Sequence, residues 1–253
     1  MITKQELSDL CRITHFKPYQ QEKHYMQTVI LNSIYSTITN ELIFKGGTCL
    51  LFFYGLNRFS EDLDFTLIKE IDTERLVSNI KKDLETLGIP NKISEIEETN
   101  LSISFKIGAE GPLFNKEIER CFVKIDVSKR EEVLKYEIIE TRTNYKEILG
   151  FSIPVMAKEE IFAEKIRAIM TRNQARDLYD LDFLIKLGVK PNLELVNKKL
   201  SFYKKEFNKE EFEKAILIKE NIWISELTPF ILGKFSTFKE VKDSVFKSLK
   251  DLI

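Results

Sequence analysis

Asp62 and Asp64 are the residues of this chain whose type and spacing most directly suggest chemistry. They lie in the segment 60–67, SEDLDFTL, where Leu63, Phe65 and Leu67 alternate with Asp62, Asp64 and Thr66. Such alternation is the pattern of a half-buried strand. A strand that buries Leu, Phe and Leu turns both aspartates to its other face, about 7 Å apart. Two carboxylates held that way repel each other unless a cation lies between them. A divalent ion with oxygen ligands resolves the repulsion, and Mg²⁺ holding nucleotide phosphates suits such a site. Upstream, the apolar run 42–45 meets Gly46 and Gly47. Thr48 is the expected N-cap of a helix over 49–54 that ends at Gly55. A helix N-terminus with bare glycines offers unpaired N–H groups to an anion. Taken singly, the glycine pair also reads as a plain turn, and the aspartates as a solvated strand edge. Their order and spacing favour the joint reading.

The elements around this stretch carry further candidates. Helices are expected over 3–12, 24–39 and 72–87, with His24 an ordinary surface histidine. Residues 101–107 and 121–127 alternate as strands. In the second, Cys121, Val123, Ile125 and Val127 turn inward, leaving Asp126 on the outer face as either a site carboxylate or a surface aspartate. Residues 141–155 read as loop and edge strand, closed by Pro154. A helix over 158–172 places Lys165 inside the apolar arc of Ile161, Phe162, Ile166 and Ile169. A lysine there needs an anion. It is either a phosphate-binding group or a lysine whose head reaches water at a domain seam. In the next helix, 176–187, Asp177 and Asp180 fall within the apolar arc and Asp182 outside it, as a solvated residue. Arg176 and Lys165 are the candidate partners of the two inward carboxylates, and an ion-pair network with a purely structural role is the alternative.

At these residues the chain resembles the AbiEii-type nucleotidyltransferases, toxin halves of type IV toxin–antitoxin and phage-abortive systems within the polymerase-β-like superfamily. Gly46-Gly47-Thr48, then Arg58, Ser60, Asp62 and Asp64, look like the family's first motif. Lys165 matches its later lysine motif, and the run from Arg176 to Leu181 matches R-D-x-x-D-L. The resemblance covers residues 40–187. It implies transfer of a nucleoside monophosphate from an NTP to an acceptor hydroxyl, with Mg²⁺ as cofactor and a two-metal site within reach. Asp62, Asp64 and Asp126 are then the metal set. Asp126, Lys165 and Asp180 join Asp62 and Asp64 as catalytic residues. Gly46, Gly47, Thr48, Arg58, Ser60, Lys165, Arg176 and Asp177 are the nucleotide-binding set. The resemblance further implies RNA, in particular the tRNA 3′ end, as acceptor, and a separately encoded antitoxin as partner. The same chemistry on a protein hydroxyl, or a catalytically idle nucleotide-binding protein, are the rival outcomes.

Composition sets the frame. The 253 residues are 43% apolar and 31% charged with a net charge of −1, so a packed core is expected and no global attraction to nucleic acid. Cys11, Cys49 and Cys121 are scattered and odd in number, as in a reducing cytoplasm. His15 and His24 are too few for a histidine-rich metal site. The N-terminus lacks the blocks of a signal peptide, and no membrane span is expected. After Pro154 the pattern turns helical, with helices over 192–206, 208–223 and 236–252. There Lys198, Lys199, Lys204, Lys205 and Lys209 interleave with Phe202, Tyr203 and Phe207, either as an RNA grip or as a solvated amphipathic face. The expected architecture is α/β: a nucleotidyltransferase-fold domain over 1–154, a small mixed sheet flanked by helices, plus a C-terminal helical bundle domain over 155–253.

Overall fold

The structure of the chain, a computed structural model, describes residues 1–250. In chain order the elements are α1 (Lys4–Thr14), α2 (Pro18–Thr37), β1 (Leu42–Lys45), α3 (Gly46–Tyr54), β2 (Leu63–Leu67), α4 (Thr73–Thr86), β3 (Asn91–Ile93), β4 (Glu97–Glu98), β5 (Ser102–Ala109), β6 (Cys121–Ser128), β7 (Tyr136–Glu140) and β8 (Ser152–Met156). The helices α5 (Lys158–Thr171), α6 (Ala175–Lys186), α7 (Leu193–Ser201), α8 (Lys209–Leu217), α9 (Trp223–Leu227) and α10 (Phe238–Ser248) follow. The chain forms two compact units. The first is Met1–Cys49 with Glu61–Val155; the second is Leu50–Ser60 with the residues from Met156 onward.

In the first unit the strands form one mixed sheet in the order β3-β5-β6-β2-β1-β8-β7, with β4 on β5. β1 runs antiparallel to β2, and β2 runs parallel to β6. One face buries Phe44, Leu63, Phe65, Ile103, Phe105, Ile125 and Val127, the inward positions that alternation selects. α2 packs on α4 and against β6. Removing one such side chain from water is worth about 1.5–3 kcal/mol, so the apolar face alone fixes which way the aspartates of β2 turn. β8 is not an edge strand: it lies between β1 and β7. Its register with β1 runs through Phe44 opposite Val155, so the ladder does not call on the N–H that Pro154 lacks. β7 carries the edge, and its exposed Tyr136 and Ile138 leave no buried alternation by which to recognise it.

α2 begins six residues earlier than the pattern suggests and is buried on most sides, including Gln20, Gln21, Glu22 and Gln27. Three of them are met from within the unit, while Gln20 Nε2 has no hydrogen-bond partner among the described residues. Gln21 donates to the Tyr145 hydroxyl at 2.8 Å, and Gln27 to the Glu61 carbonyl at 2.9 Å. Glu22 accepts from the Leu113 N–H at 2.6 Å. His24 is half-buried rather than on the open surface. Its Nδ1 lies 2.7 Å from the Tyr145 hydroxyl, and burial lowers its pKa to about 4.

In the second unit α5 packs against α6, α7 and α8, and α6 against α10. The helix expected over 192–206 stops at Ser201, shortly before Lys204 takes a left-handed φ of 54°. The one expected over 208–223 is divided into α8 and a 3₁₀ segment. The last, expected over 236–252, is α10, and its end at 251–252 lies outside the described residues. Two charged residues are buried against expectation. Lys199 is 1% exposed and meets Glu160 at 2.5 Å, so it leaves the basic cluster. Asp182 is 3% exposed, with one oxygen on Lys186 at 2.6 Å and the other without a hydrogen-bond partner. No helix among the described residues is long and apolar enough to cross a membrane.

Candidate active site

The first unit brings the glycine turn against Asp64 and Asp64 beside Asp126. β1 runs directly into α3, which starts at Gly46 with φ +78°. Thr48 does not cap this helix. It lies inside it, fully buried, and its hydroxyl donates to the Asp62 carbonyl, tying α3 to the entry of β2. Gly46 is required for space as well as for φ. A β-carbon built there would stand 2.5 Å from Asp64 Oδ2, so the Asp64 carboxylate lies against the bare α-carbon at the start of α3. That position places a negative charge at the positive end of a helix. Burial and then the Asp64 charge push the Cys49 thiol well above its usual range.

Strand pairing lines up the rest. Asp64 stands opposite Asp126 across the parallel β2–β6 pair, and opposite Lys45 across the antiparallel β1–β2 pair. Residues in register share a face, so Lys45, Asp64 and Asp126 form one row across the sheet; Asp62 lies just before β2, two residues from Asp64. Lys45 is only 7% exposed. Sequence reasoning missed it because the run LIFK shows no alternation: all four residues of β1 are buried. The antiparallel pairing through α3 is the signal that identifies it. Asp126 Oδ2 contacts Lys124 Nζ at 2.6 Å. That hydrogen bond raises the Lys124 pKa, with the Asp62 and Asp64 charges adding to it. Among the described residues no group of three or more Asp, Glu, His or Cys side chains is arranged to hold a metal ion. Asp64 and Asp126 are carboxylate oxygen donors in register on adjacent strands, the donor type a hard divalent cation takes, and Asp126 already attracts an ammonium group.

The second unit gathers the other candidates into a buried ion network. Arg58 donates through Nε and Nη2 to the two oxygens of Asp180, both at 2.7 Å. Lys165 lies 2.7 Å from Asp180 Oδ2 and 3.1 Å from Asp177 Oδ1. Arg172 makes a two-pronged contact with Asp177 at 2.7 and 2.8 Å. Asp177 and Asp180 are fully buried, one turn apart on α6. Burial alone would raise both carboxyls. Lys165 and Arg172 outweigh it at Asp177, as Arg58 and Lys165 do at Asp180, and both fall below the usual carboxylate range. The loop carrying Arg58 is itself pinned. The Phe59 N–H donates to the Phe230 carbonyl at 2.7 Å, the Leu232 N–H to the Asn57 carbonyl at 2.9 Å, and the Tyr179 hydroxyl to Asn57 at 2.8 Å.

The structure departs from expectation in this unit. Arg176 is exposed and bonds Gln174 at 3.1 Å, so the partner it was expected to be is Arg172 instead. Arg172 is the last residue of the helix expected over 158–172, seven residues from Lys165, and the structure makes it the C-cap of α5. Arg58, expected among phosphate-binding groups, is committed to Asp180 and 4% exposed. Ser60 is half-buried in the same unit.

The fold has known counterparts. A putative nucleotidyltransferase from Helicobacter pylori is similar with a TM-score of 0.64 at 23% identity, over 94% of this chain and 99% of that one. JHP933 from Helicobacter pylori gives 0.58 at 22% identity, over 94% and 92%. MenT4, a nucleotidyltransferase toxin from Mycobacterium tuberculosis H37Rv, gives 0.69 at 17% identity, over 100% and 90%. Among curated proteins none matches the sequence significantly. The family model described as nucleotidyl transferase AbiEii toxin, type IV toxin–antitoxin system, matches residues 30–241. With the glycine turn, the aspartate row and the R-D-x-x-D-L helix all inside that span, the chain belongs to the AbiEii nucleotidyltransferase toxin family.

Proposed function

We propose that this protein transfers a nucleoside monophosphate from an NTP to a hydroxyl of RNA, in particular a tRNA 3′ end, as the toxin of a pair whose antitoxin is encoded separately. The acceptor oxygen attacks the α-phosphorus, the bond to the β-phosphate oxygen breaks, and pyrophosphate leaves with its electron pair. The observation that carries this reading is the in-register pair Asp64 and Asp126 beside Gly46, in a chain of the AbiEii family. Asp62 and Asp64 would hold Mg²⁺, and Asp126 would be a further ligand or take the acceptor's proton. When bound, the metal neutralises phosphate charge and polarises the phosphoryl oxygens. Gly46, Gly47 and Thr48 supply N–H groups and Ser60 a hydroxyl to phosphates, and Arg176 and Asp177 complete the proposed nucleotide set. Lys165 offsets the charge that develops on the phosphates. The contacts of Asp177, Asp180 and Arg58 support a positioning role for those three, holding Lys165 in one rotamer. The proposed domains are a nucleotidyltransferase domain, 1–154, and a C-terminal helical domain, 155–253, with Leu50–Ser60 packing in the second compact unit.

The test is incubation of the protein with each labelled NTP, Mg²⁺ and total cell extract, followed by separation of RNA from protein. Label in RNA that disappears with Asp64→Asn is the expected result. Label in protein would replace the acceptor by a protein hydroxyl. Label in neither fraction with any NTP would overturn the assignment.

A further inference from the structure

The polar face of the sheet holds a cation of its own. Lys124 lies on β6 two residues before Asp126, so both side chains share that face. Its Nζ is 2.6 Å from Asp126 Oδ2. Asp62 lies just before β2, whose first residue, Leu63, pairs with Ile125, and its charge and that of Asp64 act on Lys124. The two partners are 38% and 37% exposed, so water and small ions reach the contact and the lysine stem can leave it. Lys106, opposite Lys124 on β5, is exposed on the same face.

We propose that Lys124 is the resident counter-ion of Asp126, and that a divalent cation must displace its ammonium to use that carboxylate. The inference rests on the nucleotidyltransferase reading above and adds to it a control on metal loading. An ammonium and a divalent ion cannot both occupy the same side of one carboxylate oxygen. The chain therefore binds metal alone weakly. NTP phosphates, arriving with the metal, supply the negative charge that accepts the displaced ammonium. Binding of metal and of nucleotide are then coupled, each favouring the other by the same factor.

Mn²⁺ alone is the probe, its free concentration read by electron paramagnetic resonance, with a thermal melt for each variant to establish folding. Lys124→Met should bind Mn²⁺ about 5-fold tighter than the wild type, the scale of an exposed ion pair removed as competitor. Lys124→Arg, which keeps the charge, should stay near the wild type. Lys106→Met removes the same charge outside the Asp126 contact and should change the affinity less than about 2-fold. Adding a non-hydrolysable NTP should tighten Mn²⁺ binding more in the wild type than in Lys124→Met. Unchanged or weaker Mn²⁺ binding in a folded Lys124→Met variant, with Asp64→Asn still weaker than wild type, would overturn the role of Lys124 alone. Wild type and Lys124→Met both binding Mn²⁺ no better than Asp64→Asn would overturn it together with the metal site.

Discussion

Arg58 and Asp180, 122 residues apart in the chain, meet through two parallel N–H···O contacts of 2.7 Å in the interior of one compact unit. Arg58→Ala leaves Asp180 buried with Lys165 as its remaining cation. Breaking a buried pair on one side costs about 3–5 kcal/mol, and the Lys165 contact places this case near the lower figure. Urea denaturation should show that loss. Arg58→Lys should recover only part of it, because an ammonium cannot reproduce the planar fork. A variant as stable as the wild type but weaker in NTP binding would return Arg58 to the phosphate-binding set.

Gly46→Ala tests the join between turn and carboxylate. The new methyl would stand 2.5 Å from Asp64 Oδ2, at a φ of +78° that L-residues rarely adopt. Asp64 must move. We expect a stability loss of about 1–2 kcal/mol from the backbone and a loss of Mn²⁺ binding approaching that of Asp64→Asn. Gly55→Ala is the control: its φ of +75° is equally strained, but nothing lies within 4 Å of the added carbon. It should lose stability and keep metal binding.

Lys165→Met separates charge from packing. Asp177 keeps Arg172 and Asp180 keeps Arg58, so neither carboxylate is left without a cation. The fold should survive with a small change in thermal midpoint. Turnover should fall about 10- to 100-fold, the equivalent of one charge-assisted contact of ~1.5–3 kcal/mol. An active variant that melts several degrees lower would reduce Lys165 to a structural counter-ion.

Acid should weaken the fold in two steps. Burial lowers the His24 pKa to about 4, below its ordinary value of 6.5. The unfolded chain therefore takes up a proton first, and stability falls as pH drops from 6.5 toward 4. Asp177 and Asp180 are also lowered from 3.8, by the cations around them. Their contribution is present above that value and is lost only as pH falls below it. Denaturation followed from pH 8 to 3 should show the upper step removed by His24→Gln and the lower step retained. An identical pH profile in the variant would show that His24 titrates normally.

Much of the local structure was legible. Alternation located β2 and β6 and put Asp62, Asp64 and Asp126 on the outer side, and a 3.6-residue period located α4, α5 and α6. Burial misled where an element is covered on more than one side. α2 shows one apolar stripe yet buries glutamines and Glu22, because Tyr145, Glu61 and Leu113 reach it from distant segments. Asp182 and Lys199 read as solvated for the same reason: helical position reports direction, not what packs there.

The sequence by itself determined the pieces: a glycine turn, two aspartates two residues apart, and a lysine and two aspartates on apolar arcs. Backbone geometry over a few residues is enough for each, since the strand period and the helix period are local. Only the tertiary structure decided which pieces meet. The register of β2 with β6 aligns Asp64 with Asp126, and β1 adds Lys45 to the row. Asp177 pairs with Arg172 rather than Arg176, and Arg58 closes on Asp180. These pairings follow from how whole faces bury together, and a shift of one residue in strand register would have turned the aspartates into the core.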